Sequence, residues 1–168
     1  MWSGLALAML GTLGCSSWKL ASAPNGAVAP TTPLPQTAAR ICVVRTSLLA
    51  MAVTMPTHDN GMLVGATRGP TYFCYFAEPG EHEITIEADE IERVTLKAEP
   101  GHNYLLKQEI ALTFGWVRCH AVWRPESEGE DLFGSSEHEV LVAVPSDQHV
   151  PPLAILAPAR GGRETVKY

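Results

Sequence analysis

Cys15 ends an apolar stretch running from Gly4 to Gly14 and is followed by Ser16 and Ser17. A short apolar core, small residues and then a cysteine make up the export signal of a bacterial lipoprotein. There the thiol accepts a diacylglycerol and the cysteine becomes the first residue of the mature chain. Leu5, Leu7, Met9 and Leu10 form the apolar centre, and Gly11, Thr12 and Gly14 leave room for a peptidase. At about a dozen residues the run suits a signal core, whereas a bilayer-spanning helix takes about 20. No Lys or Arg precedes it, as would be the case if the true start lay upstream of Met1. The alternative is an ordinary secretory signal with Cys15 a bystander thiol.

The other groups able to do chemistry are scattered. The histidines are His58, His82, His102, His120, His138 and His149. His58-Asp59 and His82-Glu83 each offer half a metal site, but both flank turn signals, and no metal-ligand spacing accompanies them. No metal and no cofactor is therefore expected. Gly134-Ser135-Ser136 lacks the second glycine of a nucleophile elbow, and Ser136 two residues before His138 is not a triad. Cys119 beside His120 fails because neighbours in a strand face opposite sides. With His82, His102, His120 and Ser136 in different turns, strands and loops, no catalytic residue is assigned and the chain reads as a non-enzyme. Pro79-Gly80-Glu81-His82 reads as a hairpin turn, with Pro setting φ and Gly accepting a positive one. That puts His82 and His102 on exposed turns and packs Tyr72, Cys74 and Phe76 inside.

The elements that must position these groups are short strands. From Arg40 onward the apolar period is two. Ile41–Thr46 is β-branched; Ala52–Met55 is stopped by Pro56; Asp59-Asn60-Gly61 supplies the positive φ angles of a type I′ hairpin. Met62–Ala66 runs back. Thr71–Ala77 is the richest aromatic run and reads as a central strand. His82–Ala88 alternates, with Ile84, Ile86 and Ala88 inward and Glu83, Thr85 and Glu87 toward water. Arg93–Ala98 repeats this with Val94, Leu96 and Ala98 inward. Asn103–Ile110 and Trp116–Trp123 follow. The prediction is an all-β antiparallel sandwich over residues 40–124. It is preceded by a signal peptide over 1–14 and a disordered tether rich in Pro and Ala over 15–39. A partly ordered extension over 125–168 holds one more β-like run, Glu139–Val144.

The net charge of −6 and the singly scattered Lys and Arg exclude a nucleic-acid partner and a polybasic grip on anionic lipid. With Cys15 acylated, Cys42, Cys74 and Cys119 remain, an odd number that allows one intramolecular disulfide. Each lies in an apolar run, and the reading preferred here is a buried small hydrophobe rather than a disulfide.

The stretch from Ile41 to about Trp123 resembles the family catalogued as domain of unknown function 2846. The resemblance rests on the opening strand ending in Arg45, the Asp59-Asn60-Gly61 turn, and Gly69 with Tyr72-Phe73. It continues through Pro79-Gly80-Glu81-His82, Pro100-Gly101 with Asn103-Tyr104, Lys107-Gln108-Glu109 and a closing strand near Trp116. These pieces are mostly turn chemistry and cover about half the chain. The resemblance implies a bacterial envelope protein, often a lipoprotein, with a prealbumin-like or immunoglobulin-like sandwich and no catalytic residues to carry over.

The expected function is a non-enzymatic lipoprotein that binds or scaffolds an envelope protein partner. Cys15 anchors it to a membrane facing the periplasm, with the outer membrane favoured by Ser16; without acylation it is secreted. The alternatives are a small-ligand or carbohydrate-binding sandwich and an envelope enzyme whose site is assembled from distant loops.

Overall fold

The computed structural model describes residues 17–145 and 147–161; the expected signal peptide over 1–14 and Cys15 lie outside them. Eleven strands form two sheets packed face to face. The smaller sheet has the order β4 (Met62–Arg68), β3 (Thr54–Asp59), β6 (Gly80–Glu87), β7 (Ile91–Ala98) and is antiparallel throughout. The larger has the order β1 (Lys19–Ser22), β10 (Glu137–Ala143), β5 (Thr71–Ala77), β2 (Ala39–Arg45), β8 (Asn103–Thr113), β9 (Trp116–Arg124), with β11 (Leu156–Ala157) also on β5. Expected as antiparallel, the larger sheet is mixed: β8 runs parallel to β2, and β10 and β11 parallel to β5. A parallel pair needs a crossover. The chain makes that of β2 and β8 by passing through the whole smaller sheet.

Alternation reads correctly where one strand face is wet. On β6, Ile84 and Ile86 are fully buried and Glu83 and Glu87 are not. Each such isoleucine contributes about 1.5–3 kcal/mol. Pro56 does not stop β3. It pairs with Ala66 on one side, and pairing with β6 begins only at Thr57, so its missing N–H leaves no gap in the ladder. Gly65 lies under the Phe73 ring, where an added Cβ would come within 2.4 Å of ring carbons; only glycine lets the two sheets approach there.

On β5 the expected parity is reversed. Phe73 and Tyr75 face the core between the sheets, while Tyr72, Cys74 and Phe76 face the outer side of the larger sheet. They join a second cluster with Val28, Cys42, Val44, Leu105, Leu132 and Phe133. Both faces of β5 are covered, so period two cannot choose between them. The cover comes from the segments expected to stay outside the domain. β1 pairs with β10, and Ala27 and Val28 are buried. Helix α1 (Gly129–Gly134) brings in Leu132 and Phe133, and Arg40 donates to the carbonyls of Pro30 and Thr32. From Lys19 onward the expected disordered tether is therefore part of the fold. Its prolines forbid helix but not docking.

Pro79-Gly80 does not turn a hairpin. It carries the chain from β5 to β6, that is, from one sheet to the other, as Pro100-Gly101 does from β7 to β8. The two-residue hairpin turns are Asn60-Gly61 and Phe114-Gly115.

Candidate functional site

Asp59 ends β3, His82 lies near the start of β6, and Tyr75 projects from β5 in the opposing sheet. The three meet in the core. His82 Nδ1 donates to Asp59 Oδ1 and Oδ2 at 2.8 and 2.9 Å, and the Tyr75 hydroxyl donates to Oδ2 at 3.0 Å. Both side chains of the His82–Asp59 pair are fully buried. His82 Nε2 donates to the Glu78 carbonyl at 2.8 Å, just before the crossing at Pro79. With acceptors on both nitrogens the imidazole is held as the cation. Burial works to lower its pKa, but the bonds to Asp59 and Glu78 prevail and the net shift is upward. Burial, reinforced by Asp59, pushes the Tyr75 hydroxyl well above its usual range. The cluster has the acid, base and hydroxyl of a catalytic array. Yet the nitrogen that would serve a nucleophile is spent on a carbonyl, and Tyr75 is spent on Asp59. Its chemistry is a buried ion pair within the smaller sheet, tied to the larger one by the Tyr75 hydroxyl and to the crossing by the Glu78 carbonyl.

His82 is thus buried, where an exposed turn was expected; a turn that switches sheets points its next side chains inward. His102 is exposed, with Glu99 at 3.8 Å. His58 faces Glu87 at 3.4 Å, and His120 faces Glu92 at 3.1 Å. His138 stacks on Tyr72, ring centroids 4.8 Å apart, and burial lowers its pKa. The Ser136 hydroxyl donates to the Arg45 carbonyl at 3.2 Å, away from any histidine pairing. Cys119 is buried, its thiol pushed up to about 12 by burial and Glu92 against Arg45, while His120 points outward, as strand alternation requires. Among the described residues, no group of three or more His, Cys, Asp or Glu could hold a metal ion. No described helix is long and apolar enough to cross a membrane.

Cys42 and Cys74 are joined across β2 and β5 as a disulfide, their Cα atoms 4.1 Å apart. This corrects the expectation of two buried thiols. The two residues lie directly opposite in the antiparallel ladder, a register that spacing along the chain did not reveal. Arg45, at the end of β2, is fully buried and donates to the carbonyls of Leu49, Ala50 and Val53, gathering the loop over residues 46–53. A cavity of about 40 Å³ is lined by Arg40, Asn103, Tyr104, Glu126 and Phe133. It has polar and aromatic walls but holds only a few waters; a small-molecule site takes roughly 300 Å³ or more. A shallower groove of about 340 Å³ runs between His58, Met62, His149 and Pro151.

No family model, no curated protein and no solved structure matches this chain. The resemblance to the domain of unknown function 2846 family gains nothing from those comparisons.

Besides the disulfide, two features escaped sequence reasoning. The Asp59–His82–Tyr75 cluster was hidden because its members lie on three strands and two sheets. Its one signal was an acid placed in the last strand position before the Asn60-Gly61 turn. The other is the Phe114-Gly115 turn at the end of β8. Its φ values of 48° and 84° are those of a type I′ turn, but phenylalanine is not a residue that announces one.

Proposed function

We propose that the chain is a non-enzymatic bacterial lipoprotein, anchored to an envelope membrane through Cys15, whose β-sandwich binds or scaffolds an envelope partner. The observation that carries the binding reading is the closed Asp59–His82–Tyr75 cluster. The acid–base array in the core spends its polar groups on the fold. The Cys42–Cys74 disulfide supports export, since such bonds persist in oxidising compartments. The apolar run before Cys15 supports the anchor, and Ser16 favours the outer membrane. Kinship with the domain of unknown function 2846 family is part of the same proposal and rests on the turn motifs. A small-ligand or carbohydrate reading is weaker, because the more enclosed cavity has room only for a few waters and the larger depressions, such as the groove beside His58 and His149, are shallow and open to solvent. The test has two arms. Labelled fatty acid should enter the wild-type chain and not Cys15→Ala. Crosslinking on the intact envelope, followed by pull-down, should recover the same discrete partner repeatedly. Equal labelling of the two chains would remove the anchor from the proposal. Hydrolytic turnover by the purified protein would remove its non-enzymatic part.

A further inference from the structure

The β8–β9 hairpin runs past the end of the sandwich. Residues 111–116 are exposed on both faces of the ribbon, and Val117 returns to the core. At the tip Phe114 is 101% exposed, with Leu112 at 51% and Trp116 at 59%. Ile91, at the start of β7 beside the finger's base, is 52% exposed. No residue from Ile110 to Val117 carries a charge. The charged groups at the base are engaged: Asp89 accepts from the Val117 N–H at 2.6 Å, and Glu90 pairs with Arg118 at 2.9 Å.

We infer that this finger inserts into the interfacial layer of a lipid bilayer. Two observations select that occupant. The first is shape, since a two-stranded tip exposed on both faces suits a soft medium that closes around it. The second is chemistry. Trp and Phe beside Leu, with no charge among them, match the headgroup boundary of a zwitterionic bilayer rather than an anionic surface. The inference does not rest on acylation at Cys15. β1, which follows Cys15, is the edge strand opposite β9, so the finger is a separate point of contact.

The test uses the full chain with Cys15→Ala, mixed with phosphatidylcholine vesicles and read by co-sedimentation. Its pair is the same chain with Phe114→Asp and Trp116→Asp. The apolar leader is common to both, so the difference reports the finger. The substituted chain should partition roughly tenfold less or weaker still, with an unchanged melting temperature. Should that variant unfold, brominated phosphatidylcholine supplies a second readout. It should quench the part of the tryptophan emission that Trp116→Phe removes. Equal sedimentation of the two folded chains would overturn the inference, and so would unquenched Trp116 emission. A solution dimer abolished by the same substitutions, without vesicle binding, would also overturn it by giving the finger to a second copy. Failure of fatty-acid labelling at Cys15 would end the anchor reading and leave this result standing.

Discussion

Asn60-Gly61 and Phe114-Gly115 bend the backbone almost identically, with φ values of 47° and 83° in one turn and 48° and 84° in the other. Their side chains do opposite things. Asn60 Nδ2 donates to the carbonyls of Glu81 and Pro158, and its Oδ1 accepts from the Glu83 N–H. It stitches β3, β6 and the C-terminal segment together beside the Asp59–His82 pair. Phe114 stands fully in solvent. A left-handed φ costs an ordinary residue roughly 1–2 kcal/mol, and asparagine less, since its side chain bonds locally. One turn therefore uses the residue that lowers the strain and the other keeps one that raises it. The first is built for the fold, and the second presents a side chain.

That contrast orders the expected effects. At the stitched end, Asp59→Ala should cost about 3–5 kcal/mol in denaturant unfolding, because it leaves the His82 cation buried without its partner. A loss under 1 kcal/mol would mean the cluster is not an ion pair. Asn60→Ala should cost roughly 1–2 kcal/mol, because the Pro158 carbonyl and the Glu83 N–H lose their partner while the Glu81 carbonyl keeps its bond from the Arg160 N–H. The His82 pair should also make stability depend on pH. Its folded pKa is raised, so its contribution is complete below the ordinary histidine value of about 6.5 and is lost as pH rises through the folded value. The melting temperature should fall on going from about pH 6 to alkaline pH, and His82→Gln should flatten that slope. At the bare end, Phe114→Asn should change stability by about 1 kcal/mol at most, toward the more stable side. A clear destabilisation there would show that Phe114 serves the fold after all.

How much of this was legible follows the same division. The sandwich itself was readable in β6 and β7, where one face is wet and Ile84, Ile86 and Ala98 mark the core. The Asn60-Gly61 turn was readable because its residue types are the ones its angles demand. β5 was not readable by parity, since its outer face is covered by Val28 and Phe133, far away in sequence. The same cover hid the role of residues 19–39: a stretch rich in Pro and Ala resembles a linker until the surface it docks on is known. Cys42 and Cys74 gave no sign of their bond, because a disulfide depends on which strands are neighbours. Of the candidate site, His82 was visible as a residue but not as a buried one. Tyr75 and Asp59 were visible only as strand and turn.

The pairing of β1 with β10 sets an order of assembly. Lys19 lies opposite Ala143, a separation of 143 − 19 = 124 residues, so this edge cannot zip until nearly the whole chain is available. Contacts closing so long a loop form late, after shorter ones have met their entropy cost. During refolding, the amides of residues 19–22 should be the last in the larger sheet to become protected in pulsed hydrogen exchange. Until that moment residues 19–22 have no partner in the larger sheet. Once the edge has zipped, Lys19 belongs to a rigid body, and the sequence leaves Ser16, Ser17 and Trp18 between it and Cys15.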